Sequence, residues 1–164
     1  MLQDYKKHCE ERKEQGIPPL PLSAQQTSDL VELLKSEHQE SELLLELLNE
    51  RIPAGVDQAA YVKAGFLADI TTDETSSPYI SKKEAVMILG TMLGGYNIQP
   101  LIKCLEDNEL GEVAAAALSK TLLIFDAFNE VLALSDTNKN AKTVVDAWAE
   151  GLWFKEKNEI EEQI

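Results

Sequence analysis

Apolar residues recur at helical spacing in nearly every segment of this chain, and this pattern constrains its fold more than any other feature. Around Ala85, Ile88, Leu89 and Met92 the apolar side chains fall at i, i+3, i+4 and i+7, which places them on one face of a helix. The alternation of apolar and polar residues that marks a half-buried strand is not the pattern of these segments. The sequence therefore predicts an all-α fold of about eight helices with no sheet.

Start signals indicate where several of these helices begin. Ser23 with Gln26, and Ser81 with Glu84, have the spacing of a capping box, in which each side chain bonds the other residue's backbone N–H. Asp57 is expected to cap a further helix, because its carboxylate can accept a backbone N–H of the first turn. These residues thus predict the N-termini of three of the helices.

The longest predicted helix runs from Glu112 to about Leu134 and is apolar on nearly all sides, which is typical of a helix inside a core. A last helix is expected to carry Val144 and to reach Phe154, followed by a charged tail at 155–164. We treat residues 1–164 as a single domain, since a chain of this length buries enough apolar surface to fold around one core.

The helices also suggest a repeat. Residues 101–123 have the pattern of a HEAT-type helix pair, and apolar positions between Leu44 and Leu67 match positions between Leu101 and Ile124 at one constant offset. Such pairs bury their apolar faces by stacking on one another. The sequence therefore predicts a HEAT-like array of antiparallel helical hairpins, an α-α superhelix, with an irregular helical bundle as the alternative.

The net charge limits the partners that this domain binds. The chain has 29 acidic and 15 basic side chains, for a net charge of −14. This charge repels phosphate groups unless the cations gather on one face, so direct nucleic-acid binding is not expected. A well-solvated surface explains the acidity, and attraction of a basic partner is the alternative.

The cysteines and the apolar runs indicate where the chain resides. Cys9 and Cys104 are far apart and neither belongs to a CxxC motif, so neither a disulfide framework nor a thiolate metal cage is predicted. The chain has no basic and then apolar N-terminal segment, and no charge-free apolar run as long as a membrane span. We expect a cytoplasmic protein without a membrane segment.

The inventory of catalytic side chains is short. His8 and His38 lie in charged regions without a histidine one turn away, which argues against a metal site. Cys104 follows apolar residues on a predicted helix and is expected to be a small buried side chain, whereas Cys9 is expected to be exposed. The sequence predicts no catalytic, cofactor-binding or metal-binding residue.

One glycine-rich stretch resembles a phosphate loop in its spacing. Gly90 and Gly95 are spaced as in G-x-x-x-x-G, but Tyr96 and Asn97 stand where that loop has Lys and Ser or Thr. A nucleotide-binding module is the function that this spacing alone would suggest. We interpret Gly94, Gly95, Tyr96 and Asn97 instead as a structural turn: a left-handed glycine closes one helix, and Asn97 caps the next.

Aromatic residues near the C-terminus are a candidate interface. Trp148, Trp153 and Phe154 are of the types that concentrate in interface cores. In a separate domain, the tryptophans are better explained as a cover over the end of the array.

Several stretches together resemble a known family. They are VDQAAYVKAGFLADI at 56–70, LGTMLGGYNIQPLI at 89–102, ALSKTLLIFDAFNEV at 117–131 and WAEGLWF at 148–154. They are similar to the N-terminal domain of bacterial aconitase B, and the similarity runs in order from Met1 to about Phe154. The resemblance implies a HEAT-like domain placed ahead of catalytic domains, in agreement with the periodicity.

The resemblance also implies a function. The parent enzyme would be an aconitate hydratase, a hydro-lyase that interconverts citrate and isocitrate through cis-aconitate and acts on 2-methylaconitate. Its four-iron four-sulfur cluster would be held by cysteines of later domains, and neither Cys9 nor Cys104 matches a cluster ligand. This fragment is therefore expected to be noncatalytic and to hold no cofactor.

The partners implied are the catalytic domains of the same chain, a second copy in a homodimer, and other metabolic enzymes. Domain packing and access to the active site are the implied tasks. The competing hypothesis is a free-standing helical adaptor that has no enzyme attached.

Overall fold

The computed structural model describes the backbone of residues 1–121 and 125–150. Within those ranges it has nine helices and no strand, which confirms the all-α prediction and adds one helix to the expected number. The helices are α1 Leu2–Glu14, α2 Ala24–Leu34, α3 Ser41–Glu50, α4 Gln58–Thr71, α5 Lys82–Leu89, α6 Ile98–Cys104, α7 Gly111–Leu118, α8 Phe125–Ser135 and α9 Lys139–Ala149. None of these helices is long and apolar enough to cross a membrane.

The helix N-termini predicted at Ser23, Asp57 and Ser81 are confirmed. Ser23 and Gln26 form a complete capping box at α2, and Ser81 and Glu84 form one at α5. The Asp57 carboxylate accepts a backbone N–H in the first turn of α4. Because each side chain satisfies a donor that has no partner within its helix, the local sequence sufficed to set these boundaries.

From α2 onward, consecutive helices pair into the hairpins α2–α3, α4–α5, α6–α7 and α8–α9. The first helices of the hairpins, α2, α4, α6 and α8, contact one another in series, and so do α5, α7 and α9 among the second helices. This two-layer stacking is compatible with a HEAT-like array, whose superhelical geometry stays a prediction. At the N-terminus, α1 contacts the first hairpin through an ion pair between Lys6 and Glu40, the residue just before α3.

The core lies between the two layers. Small residues let the helices approach closely: Ala59 and Ala60 of α4 and Ala114 of α7 are fully buried. Leucines fill the remaining space, and the fully buried ones include Leu44, Leu48, Leu67, Leu89, Leu101, Leu105 and Leu118. Full burial of one such side chain contributes roughly 1.5–3 kcal/mol, so this layer accounts for much of the stability.

The predicted repeat matches one hairpin and not the other. Residues 101–123 begin with the hairpin α6–α7, as expected, but the weaker copy at 44–67 joins α3 to α4, which belong to successive hairpins. The constant offset of the predicted repeat aligns Ala116 and Ala117 with Ala59 and Ala60, which are buried in α4. The buried alanines of α7 are instead Ala114 and Ala115. Apolar spacing reports which face of a helix is buried, and not which helix covers it.

The single long helix predicted from Glu112 to Leu134 is wrong, because α7 ends at Leu118 and α8 begins at Phe125. At this break the hydroxyls of Ser119 and Thr121 donate to carbonyls of α7 one turn back. Hydroxyl side chains compete with the backbone for these carbonyls and weaken a helix interior. The indole of Trp148, on a different helix, also donates to the Leu118 carbonyl at 3.0 Å, a contact that the local sequence does not reveal.

Candidate interaction surface

The directions of the helices give the array two distinct ends. At one end, α5, α7 and α9 terminate: a Cβ built on Gly90 would lie 2.8 Å from that of Ala117, and Trp148 bonds Leu118. We call this the apolar end and define it by residues 54–61, 89–98, 117–118 and 148. At the opposite end α4 and α6 terminate while α5, α7 and α9 begin, and we call residues 71–82, 104–112 and 138–140 the charged end.

The predicted glycine turn lies at the apolar end. Gly94 and Gly95 have φ values of +86° and +95°, so both adopt the left-handed conformation that favours glycine. The helix before them nevertheless ends earlier than expected, at Leu89, with Gly90 in a right-handed conformation as its C-cap. The left-handed glycines therefore redirect the chain after α5 instead of closing it, which corrects the sequence interpretation.

Gly94 is required for a second reason. A Cβ on Gly94 would lie 2.7 Å from the carbonyl carbon of Gly55 and 2.9 Å from the Val56 nitrogen, because the loop before α4 packs directly against it. The Leu93 N–H donates to the Ala54 carbonyl at 2.7 Å and joins the same two loops. Gly95, by contrast, has open space around its Cβ position. The two adjacent glycines thus differ in what their replacement would disturb.

Asn97 corrects another prediction. It precedes α6, but its side chain makes no capping hydrogen bond to that helix, and its backbone is already right-handed helical. Its side-chain amide instead donates to the carbonyls of Leu89 at 2.8 Å and Met92 at 3.1 Å, and the residue is 1% exposed. Carbonyls at a helix C-terminus lack partners within the helix. Asn97 therefore satisfies the end of α5 and not the start of α6.

Exposed apolar side chains surround this turn. Val56 is 75% exposed, Leu93 66% and Tyr61 60%, and the half-buried Tyr96 lies between them. The Tyr96 ring meets that of Tyr61 edge-on with centroids 5.4 Å apart, and its hydroxyl donates to the Val56 carbonyl at 3.4 Å. We call Val56, Tyr61, Leu93 and Tyr96 the apolar corner. Sequence reasoning identified Tyr96 as part of a turn but missed the corner as a surface.

The predicted C-terminal interface is described only in part. Trp148 is half-buried; its ring lies 5.9 Å from that of Phe128, which is 42% exposed. Trp153 and Phe154 lie outside the described residues, as does the charged tail at 155–164. Trp148 packs on the apolar end of the array, and a role for the aromatic group in an interface stays a prediction.

A cleft of about 400 Å³ lies between α1 and α3. The Arg51 guanidinium at its edge donates to the Tyr5 hydroxyl at 3.0 Å and to the Pro19 carbonyl at 2.7 Å, so its charge holds the first connector in place. Its lining residues are Leu2, Tyr5, Lys6, Cys9, Glu10, Pro19, Leu43, Glu46, Leu47 and Arg51. The polar groups at the mouth of this cleft thus already serve the fold.

Three further titratable side chains are buried or half-buried: Cys104, Cys9 and Lys63. Cys104 is buried, as predicted, and burial raises the pKa of its thiol. Cys9 is half-buried in the cleft rather than exposed, because α3 covers part of α1. The pKa of Lys63 in α4 is lowered because the side chain is buried, and the charge of Glu50 offsets only part of this effect. Among residues 1–121 and 127–150, no group of three His, Cys, Asp or Glu side chains is arranged to hold a metal ion.

Comparison with known proteins identifies the family of this chain. The model of the aconitate B N-terminal domain family matches residues 4–154. The chain belongs to that family. The recognition made from the four sequence stretches is thereby confirmed.

The relatives carry the family's name and are much longer. Aconitate hydratase B of Synechocystis is 58% identical over 167 residues, which covers 100% of this chain and 19% of that protein. Aconitate hydratase B of Pseudomonas aeruginosa is 52% identical, and that of Escherichia coli 49%, each with 100% of this chain and 19% of the relative covered. The chain thus spans about a fifth of the length of the curated relatives it matches.

Proposed function

We propose that this domain is the noncatalytic interaction domain of an aconitate hydratase, in which the longer remainder of the polypeptide interconverts citrate and isocitrate through cis-aconitate. The observation that supports this proposal is the match over residues 4–154 to a family defined as an N-terminal domain. The relatives that share it extend far beyond it, since 100% of this chain covers 19% of theirs.

The cysteines of the domain support this division of work. The cluster implied for the parent enzyme is held by cysteine thiolates. Cys104 is buried in α6, with a raised thiol pKa, and Cys9 lies in the cleft between α1 and α3. These two thiols do not fit a four-iron four-sulfur cluster, and we derive no chemical step through one in this domain.

The tasks proposed for the domain are packing against the catalytic body, shaping access to the active site, self-association and docking of other enzymes. Exposed apolar groups at the apolar corner and on α8 support a contact role, since exposed apolar patches mark interaction sites. The proposal places the protein in the cytoplasm and includes no direct contact with nucleic acid.

The test compares the full-length enzyme with residues 1–164 alone. We expect the full-length protein to convert citrate and the isolated domain to show no turnover, while circular dichroism shows that the domain is helical. Turnover by a purified, iron-reconstituted domain would refute the noncatalytic role. A gene that stops shortly after Ile164 would favour the free-standing adaptor.

A further inference from the structure

The apolar corner is a contiguous surface. Its three most exposed members, Val56, Tyr61 and Leu93, are each at least 60% exposed. Tyr96 contacts the Tyr61 ring and the Val56 carbonyl, and the Leu93 N–H bonds the Ala54 carbonyl in the loop that carries Val56. Scattered single apolar side chains are normal on a protein surface, but a contiguous group of large ones marks a contact site. This group comes from two loops and one helix that the fold brings together.

The corner is also held in one shape. Gly94 packs against Gly55, and the Leu93 N–H bonds the Ala54 carbonyl, so the two loops form one unit. The buried Asn97 amide fixes the segment between Leu89 and Met92 from below. A surface that is already ordered loses little conformational entropy when it is covered, which favours tight docking.

The surroundings of the corner carry little charge. The segment from Ala85 to Ile102 has no charged side chain, although 27% of the chain is charged. Asp57 is the charged residue next to Val56, and its carboxylate is engaged with a backbone N–H of α4. Interface cores are depleted of charge and enriched in tyrosine, as this corner is.

The last described helix, α9, ends at the apolar end of the array, where the corner also lies. Helices α5, α7 and α9 run in one direction, and α9 reaches the apolar end where Trp148 bonds the Leu118 carbonyl. The relatives continue for several times the length of this domain, and a polypeptide that continues after α9 leaves the domain at the same end of the array as the corner. The charged end lies at the other extreme of the array.

We infer that the apolar corner is the surface on which the following part of the same polypeptide docks, through an apolar face of its own. The inference rests on the proposed function and adds the place of contact. The partner is part of the same polypeptide, because it is covalently tethered at the same end of the array and therefore has a high effective concentration there.

Hydroxyl-radical footprinting of the full-length enzyme tests the inference. Leu93 and Leu20 are a matched pair, since they are 66% and 54% exposed in this structure and Leu20, on the α1–α2 connector, is not part of the corner. We expect labelling of Leu93 to be severalfold weaker than that of Leu20, and labelling of Tyr61 to be suppressed likewise. Protection should not change when the protein is diluted.

Charge substitutions provide the second measurement. Leu93→Glu in the full-length enzyme should raise the labelling of Tyr61 severalfold, because a carboxylate in an apolar contact is strongly disfavoured. Leu20→Glu is the control and should leave Tyr61 protected. Both positions are exposed in the domain, so neither substitution is expected to unfold it.

Other outcomes overturn the inference in distinguishable ways. If Leu93 is labelled as strongly as Leu20 while another face of the domain is protected, the corner is not the docking surface, but the proposed packing stands. If no face is protected, the proposed packing fails as well. Protection that disappears on dilution identifies a second copy as the occupant.

Discussion

The two ends of the helical array turn the chain in different ways. At the apolar end, glycines allow the backbone of one loop to pack against another, as Gly94 does against Gly55, and a buried amide satisfies the carbonyls. At the charged end, exposed side chains join neighbouring segments by ion pairs: Lys82 pairs with Asp73 at 2.5 Å, and Lys139 pairs with Glu112 at 3.2 Å. Shape determines the first kind of turn, whereas charge and hydrogen bonding determine the second.

Two asparagines show the difference most directly. Asn97 at the apolar end is buried and donates to the Leu89 carbonyl, which also accepts the Met92 N–H at 3.1 Å. Asn138 at the charged end caps α9 and donates to the Leu105 carbonyl, but Asn140 donates to the same carbonyl at 3.0 Å. Among the described residues, the Leu105 carbonyl thus has two side-chain donors and the Leu89 carbonyl has one, so loss of a single asparagine should disturb the apolar end more.

The largest effect is expected for Gly94→Ala. The new Cβ would meet the Gly55 backbone at 2.7 Å in a left-handed conformation, so strain and collision act together. We expect the free energy of unfolding to fall by about 3 kcal/mol or more. Chemical denaturation measures the change.

Gly95→Ala separates the two causes. Gly95 shares the left-handed φ but has open space, so its replacement by alanine should cost only about 1–2 kcal/mol. Equal losses at the two positions would show that the packing against Gly55 contributes nothing.

The next effect compares the two asparagines. Asn97→Ala leaves two buried carbonyls without their side-chain donor and should cost about 2 kcal/mol. Asn138→Ala removes a helix N-cap and should cost about 1 kcal/mol, because Asn140 still serves the Leu105 carbonyl. A larger loss for Asn138→Ala in thermal unfolding would reverse the ranking of the two ends.

A smaller effect on stability is expected at low pH, from the capping box of α5. The Ser81 hydroxyl and the Ser81 backbone N–H hold the pKa of Glu84 below its ordinary value of 4.5. A lowered pKa in the folded state stabilises the fold above the unfolded-state pKa, and this contribution is lost as the pH falls through the folded-state value. Glu84→Gln should therefore flatten the acid limb of a plot of unfolding free energy against pH.

The capping box of α2 is the matched control for this measurement. It has Gln26 in the equivalent position and no carboxylate, so Gln26→Glu should steepen the acid limb that Glu84→Gln flattens. Asp107 remains in both variants, with its own pKa lowered by the N–H groups of Leu110 and Glu109. Acid limbs that stay unchanged in both variants would contradict a role for these boxes.

The smallest effect is expected for Lys82→Gln. The hydrogen bond to Asp73, and the charges of Asp73, Asp107 and Glu109, raise the pKa of Lys82, but the side chain faces water. Exposed ion pairs contribute little, and salt screens them. We expect a barely measurable loss of stability that disappears in concentrated salt, and a large, salt-independent loss would show that this end is not held by exposed charge.

Much of the fold was predictable because its signals are local. The capping boxes at Ser23 and Ser81 and the cap at Asp57 act within one helical turn, so the sequence shows them directly. The break after Leu118 was missed because apolar residues continue through it. Hydroxyl bonds of Ser119 and Thr121 and the contact of Trp148, which is distant in sequence, determine that break.

The candidate surface was only half predictable. The glycines at 94 and 95 indicated a turn, and the charge-free segment from Ala85 to Ile102 was a visible signal that reasoning from helical stripes did not use. Val56 and Leu93 look in the sequence like any other apolar residues. Their exposure depends on which helices cover them, and that is settled by packing between distant segments.

The sequence by itself determined most of the helices, the caps at Ser23, Asp57 and Ser81, and the family, because spacing and local hydrogen bonding act over a few residues and long collinear stretches identify relatives. Only the tertiary structure decided how the helices pair, where Asn97 directs its amide and which apolar side chains remain uncovered. These features depend on contacts between segments that are remote in the chain, and no local pattern specifies such contacts.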